Sequence, residues 1–178
     1  MTASLKQEVV LSEQAGRWVV RLLLILILLL ALGLRLYGVN FGLPFVSHPD
    51  EPHVVDHAVA TIKNGDWNPH RFIYPSGYQY VQTGVLSLHL LWGIGRGLYT
   101  SAGDLPDSSH IITGAPDSYL WARATTALFG TIAVLLAYLV GRRVFGPAAG
   151  LSAALLLALS PGHVEHSHFA TTDVPMAT

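Results

Sequence analysis

The chain contains no cysteine, so disulfides and thiolate metal sites are excluded. Charge is scarce as well. Only 12% of the 178 residues are Asp, Glu, Lys or Arg, against roughly 25% in an ordinary soluble domain. The net charge is -1, which offers no basic surface to a polyanion, and nucleic acid is not an expected partner. Internal repeats, low-complexity runs and the HExxH zinc pattern are all missing. Apolar residues make up 51% of the chain and are gathered into long runs. A lipid bilayer is therefore the expected solvent for much of the surface.

Between Arg21 and Arg35, residues 22–34 have no polar side chain. The first transmembrane helix is expected at residues 17–36. As a helix, residues 18–36 reach about 28 Å, close to one hydrocarbon core. The flanking arginines can snorkel to the interfaces. A cleaved signal peptide fits less well, because the leading segment is long and contains acids. Residues 119–141 and 148–164 are two further expected transmembrane helices, with Tyr119 and Trp121 as interfacial aromatics. Residues 142–147 read as a basic turn between them.

Residues 79–99 are long enough to span but carry Gln79, Gln82, Thr83, His89 and Arg96. Charge placement decides how they are read. Arg142 and Arg143, like Lys6, Arg17 and Arg21, mark the cytoplasmic side. Residues 101–118 hold Asp104, Asp107 and Asp117 and no Lys or Arg, which suits the opposite side. Both patterns hold if 79–99 lies along the outer interface. Residues 37–118 then form one external loop, 1–16 are cytoplasmic, and 165–178 return to the external side. The fold class is all-α integral membrane. The closing run Thr171, Thr172, Asp173, Val174, Pro175, Met176 reads as the interior of a longer membrane protein.

Within the loop, residues 52–64 are expected to form an amphipathic helix lying on the membrane. Val54, Val55, Ala58, Val59 and Ile62 share a face. Pro52 suits the first turn, and Gly65 after Asn64 suits the stop.

Chemistry-bearing residues concentrate outside the spans. Asp50 and Glu51 sit between Pro49 and Pro52, near an expected helix start whose dipole favours anions. Such a pair could act as a general base towards a hydroxyl or bind a divalent cation. It could equally be an acidic cap beside a solvated neighbour. Asp173 stands on the same side near another helix start, with Thr172 or Asp173 able to cap and Pro175 in the first turn. Nine histidines are present. His53 and His57 share a helix face, and His166 and His168 lie close to Asp173, so these four are candidate ligands for a divalent cation. They could also be interfacial polar residues. Arg35 and Arg123 are placed to meet a lipid phosphate or to snorkel. Tyr74 and Tyr78, with Tyr80, form either a sugar or lipid contact or an aromatic belt.

Taken in order, these features resemble a known family. A span ends in Arg35, Leu36, Tyr37, Gly38. Asp50 and Glu51 follow, then Tyr74, Pro75, Ser76, then Ala122 and Arg123. The run 141–146 and the stretch from Leu159, Ser160, Pro161 to Asp173 complete the order. The pattern resembles the N-terminal part of the family 39 glycosyltransferases. These are multispanning GT-C enzymes related to protein O-mannosyltransferases and lipid A aminoarabinose transferases. The resemblance implies a hexosyl or pentosyl donor on a polyprenyl phosphate. It implies an acceptor protein, glycan or lipid, and inverting transfer on the non-cytoplasmic face. It also implies juxtamembrane helices in the first external loop. Under it Asp50 is the catalytic base, Glu51 its partner and Asp173 the second acid, with no certain cofactor. The alternative is a membrane transporter or metal-binding module built on the Asp, Glu and His residues. A transporter requires ionisable groups at depth, and the middles of the three expected spans lack them.

Overall fold

The computed structural model describes residues 3–70, 72–109 and 117–178, with residues 3–13 as backbone only. Among them the regular elements are all helical. They are α1 (Ala3–Leu36), α2 (Glu51–Asn64), α3 (Ser76–Gly95), a 3-10 turn (Ala102–Asp104), α4 (Asp117–Phe145), α5 (Pro147–Ala158), α6 (Pro161–His166) and α7 (Asp173–Met176). Two stretches are long and apolar enough to cross a membrane, Gln14–Leu36 and Asp117–Phe145.

Several boundaries differ from the sequence expectation. The helix expected from residue 17 already begins at Ala3. Arg142 and Arg143 do not form a turn but lie in the last turn of α4, because arginine is a good helix former and is stabilised at a helix C-terminus. The reversal falls on Gly146 alone, at φ 92, with Pro147 opening α5. The helix expected over 148–164 is broken. α5 stops at Ala158, and Ser160 is extended at ψ 113 before Pro161 opens α6. Proline disfavours helical geometry in the residue before it, and its ring has no N–H to continue the ladder. The 12 residues of α5 reach only about 18 Å, short of a bilayer core. Finally, the segment read as 79–99 is helical from Ser76 to Gly95.

α1, α4 and α5 pack through small residues, as helices do where lipid supplies no hydrophobic drive. A Cβ on Gly150 would stand 2.7 Å from the Tyr138 carbonyl oxygen, and one on Gly141 would stand 3.0 Å from Gly150 Cα. The α4–α5 backbones therefore touch. Ala31, Val134, Tyr138, Ala154 and Ala158 form the core of this layer. Its outward faces are apolar, as at Leu22, Leu26, Leu29, Leu128 and Ile132.

The second layer joins α2, α3 and the start of α4. Val55, Ala58 and Val59 of α2 pack with Leu86, Leu105, Tyr119, Ala122 and Ala170. The apolar face of α2, expected on the membrane, is thus consumed inside the protein. α3 has inverted polarity. Gln79, Gln82, Thr83 and His89 are buried, whereas Val81, Leu88, Leu91 and Trp92 are exposed. Gly65 ends α2 in the left-handed region at φ 69, as the Asn64, Gly65 pair predicts.

Candidate active site

α2 begins at Glu51, one residue ahead of the expected start at 52, so Asp50 occupies its N-cap position, yet the Asp50 side chain makes no capping bond. The carboxylate turns aside, and Tyr74 donates its phenolic O–H to Asp50 Oδ1 at 3.0 Å. The Asp50 amide donates to His48 Nδ1 at 3.3 Å. Asp50 is half-buried, so it remains open to a visiting group.

Glu51, its neighbour, behaves in the opposite way. It is wholly buried, as is Arg123. Arg123 Nε donates to Glu51 Oε1 and Nη2 to Oε2, both at 2.7 Å. The remaining contacts bring in distant chain. Arg123 Nη1 donates to the carbonyls of Val39 and Phe41 at 3.0 and 2.8 Å. The Ala170 amide donates to Glu51 Oε1 at 2.8 Å. The Phe169 ring lies 5.5 Å from Arg123 Cζ, and His48 packs against that ring at 4.8 Å. One ion pair therefore fastens the turn after α1, the start of α2, α4 and the segment before α7.

Asp173 is the first residue of α7 and is exposed. Thr171 donates its hydroxyl to Asp173 Oδ2 at 3.1 Å, and His166 Nδ1 lies 3.6 Å from the same oxygen. Asp50 and Asp173 both act on Tyr74. Its phenol is held above the ordinary tyrosine value, first by the hydrogen bond to Asp50, then by burial and by the charges of Asp50 and Asp173. A carboxylate beside a phenol opposes phenolate formation, so Tyr74 stays a donor. Its ring also stacks on His53 at 5.7 Å. A cavity of ≈ 350 Å³ opens beside Tyr74, lined also by His53, Asp56, His57 and Gln79 among others.

The other sequence candidates are placed as follows. Arg35 is wholly buried. It donates to the carbonyls of Ala31, Leu157 and Ala158 and meets His163 Nδ1 at 2.9 Å. It caps the end of α5 and neither snorkels nor faces an external phosphate. Arg123 is likewise taken up internally. Tyr78 lies inside the packing, where its hydroxyl meets Thr126 Oγ1 at 2.6 Å. Burial pushes this phenol up to about 12. It lines no surface for a ligand, in contrast to Tyr74. The four candidate histidines do not converge. His53 and His57 face the cavity beside Tyr74, His166 meets Asp173, and His168 Nε2 binds the Leu34 carbonyl at 3.1 Å. Among the described residues no group of three or more His, Asp or Glu is arranged to hold a metal ion. His110 lies outside the described residues.

Asp56 escaped the sequence reading. It accepts from the Ser108 amide at 2.9 Å, from the Ser108 hydroxyl, and from Tyr119 at 3.0 Å. It pins the 105–109 segment to α2, and a lone acid between Val55 and His57 gives no signal of this. Phe169 was also missed, although an aromatic just ahead of Asp173 was visible.

The fold and site define a helical, lipid-facing chain that gathers acids and a tyrosine beyond the ends of its apolar helices. Comparison with known proteins narrows this class. Residues 111–178 match the sequence model of the dolichyl-phosphate-mannose-protein mannosyltransferase family. The match covers α4 to α7 and includes Arg123 and Asp173, while Asp50 and Glu51 lie outside it. It agrees with the resemblance read from the sequence, over 68 of the 178 residues. Together with the two long apolar helices it indicates a membrane location. No curated protein matches the chain, and no solved structure does.

Proposed function

We propose that the protein transfers a sugar from a polyprenyl-phosphate donor to an acceptor hydroxyl, with inversion, on the non-cytoplasmic face. Asp50 is the general base and Asp173 lies across the same cleft. The observation that carries this reading is the hydrogen bond from the Ala170 amide to Glu51 Oε1 at 2.8 Å, which brings the segment leading to Asp173 against the Asp50–Glu51 turn and supports a single cleft formed by acids far apart in sequence.

The acceptor oxygen attacks the anomeric carbon as the bond from that carbon to the phosphate oxygen breaks. The bonding electrons leave with the phosphate, and the acceptor proton passes to Asp50. An ordinary carboxylate is too weak a base to ionise an alcohol beforehand, so proton transfer accompanies attack. Tyr74 occupies Oδ1 of Asp50, which leaves Oδ2 for the acceptor. Glu51 touches no substrate in this arrangement. It is a positioning residue, because its pairing with Arg123 fixes the backbone that carries Asp50. The donor phosphate, the acceptor class and the external location rest on the family resemblance.

The test is transfer from radiolabelled polyprenyl-phosphate sugars in membranes holding the full-length protein, with and without chelator. Asp50→Asn is expected to lower transfer at least about 100-fold with expression unchanged. Transfer at the wild-type rate in that variant would overturn the assignment.

A further inference from the structure

Far from the Asp50 cleft, at the other end of α1, a second cavity of ≈ 450 Å³ is lined by Arg17, Val20, Arg21, Tyr138, Arg142 and Pro147, with Gly16 at its edge. Arg21 lies about 21 Å along the helix axis from Arg35, so the two ends of α1 are chemically separate. Three arginines from two helices line it, and among the described residues its lining contains no acid. Residues 14–49 and 118–164 contain no Asp or Glu at all. Glu13, one turn before Arg17, is the nearest acid in sequence. The walls are held in place by the Gly141–Gly150 contact and by Tyr138, over which Arg142 lies at 5.9 Å. Trp18 is 66% exposed with Arg21 Cζ 5.1 Å from its ring. A tryptophan so placed at the end of a bilayer-length helix marks headgroup depth.

A second observation says what kind of anion fits. Between α1 and α5, whose Pro147 also lines the arginine cavity, runs a groove of ≈ 380 Å³ lined by Leu23, Leu26, Ile27, Leu30, Leu151 and Leu155, with Ser152. Pro147, Leu151 and Leu155 are four residues apart and share one face of α5. Val20, Leu23, Ile27 and Leu30, three or four residues apart, share one face of α1. The arginine cavity and the apolar groove are therefore consecutive segments of one furrow, cationic at one end and, Ser152 apart, apolar along the rest. A free phosphate would use only the first part. A detergent tail or a neutral lipid would use only the second.

We propose that this furrow is a binding site for an anionic phospholipid, its phosphate between Arg21 and Arg142 and one acyl chain along α1 and α5. The guanidinium groups of Arg21 and Arg142 repel the ammonium of a zwitterionic headgroup. Bidentate donation to phosphate oxygens is what arginine forks are shaped for. Nothing in this site depends on the glycosyltransferase reading.

The experiment uses the full chain in mild detergent. Equimolar phosphatidylglycerol and phosphatidylcholine are added, and native mass spectrometry counts the lipid each protein retains. Phosphatidylglycerol should be retained about tenfold over phosphatidylcholine. Arg21→Gln with Arg142→Gln should abolish that preference. Leu155→Trp, which fills the groove and keeps the arginines, should lower retention of both lipids. Arg96→Gln, at the opposite end of the molecule, should change nothing, and circular dichroism should report unchanged helix in every variant. Equal retention of the two lipids, or an unaffected double variant, overturns the proposal. So does an equal loss in Arg96→Gln, which would mean bulk charge. Displacement of phosphatidylglycerol by inorganic phosphate overturns it too, because the anion alone would then be what is bound.

Discussion

Glu51 and Arg123 meet through two parallel hydrogen bonds of 2.7 Å, and neither side chain reaches solvent. Asp50, one residue earlier, is half-open. The same acidic pair thus supplies one carboxylate to the scaffold and one to the cleft. A buried pair of this kind tolerates the loss of neither partner alone, since a single charge is then stranded in a medium that cannot solvate it.

Glu51→Leu or Arg123→Leu is expected to destabilise the protein by about 3–5 kcal/mol. The double variant should be less affected than the sum of the two, because no charge remains unpaired. Thermal melting in detergent measures all three. Strict additivity would show that the pair is not energetically coupled.

Tyr74 reports on the cleft without any assay of transfer. In Asp50→Asn its phenol should titrate closer to the ordinary tyrosine value, because the largest cause of its raised value is removed. Asp173→Asn should produce a smaller shift in the same direction. Ultraviolet difference titration against Tyr74→Phe isolates this one phenol. If Asp173→Asn leaves it unmoved, the two acids do not share a cleft.

Gly130 makes room for Arg35. A Cβ at this position would lie 2.5 Å from Ser167 Oγ and 2.7 Å from Arg35 Nε. Gly130→Ala is expected to cost about 1–3 kcal/mol by forcing Arg35 off the end of α5. A melting temperature equal to the wild type would mean that Arg35 moves without penalty.

His89 sets an acid limit to stability. Its Nε2 meets the Tyr99 hydroxyl at 3.0 Å, and its ring packs against Trp92 and Trp121 at 5.8 and 5.2 Å. Burial pulls its pKa below the ordinary histidine value, against a weaker opposing pull from Asp117. The unfolded chain therefore binds this proton first as pH falls. The stability contributed by neutral His89 is full above about pH 6.5 and is lost as pH falls from there through the folded pKa. Melting curves of wild type and His89→Gln between pH 5 and 8, compared as a ratio, should diverge only on the acid side. Parallel curves would contradict this.

Much of this architecture is legible in the residues. The apolar run 22–34 and the long apolar stretch of α4 announce the two bilayer-length helices. Pro52 and Gly65 bracket α2 because each is fitted to one end of a helix. The helix breaks are harder to read. Arg142 and Arg143 suit a turn by charge but a helix terminus by propensity, and propensity together with the dipole prevails. Pro161 could have warned that 148–164 is not one helix, since the apolar run stops at Leu159 and only extension to Val164 gives it spanning length. Least legible are the partners. Sequence shows that Arg35 and Arg123 stand near helix ends, where snorkelling is the ordinary outcome. Only packing reveals that the Leu157 and Ala158 carbonyls and the Glu51 carboxylate turn both guanidinium groups inward. The inverted polarity of α3 was visible as misplaced glutamines and a histidine, whose buried partners lie on α4 and in the segment after α3.

The Glu51–Arg123 link also fixes an order of biosynthesis. A growing chain presents Glu51 long before Arg123 exists, and Ala170 comes later still. Until α4 has been made and inserted, the acidic pair must wait in water with its loop unmoored. The cleft can therefore assemble only after the second bilayer-length helix is in place. A nascent chain stopped before residue 123 should expose the first loop to protease, and one extended past residue 170 should protect it.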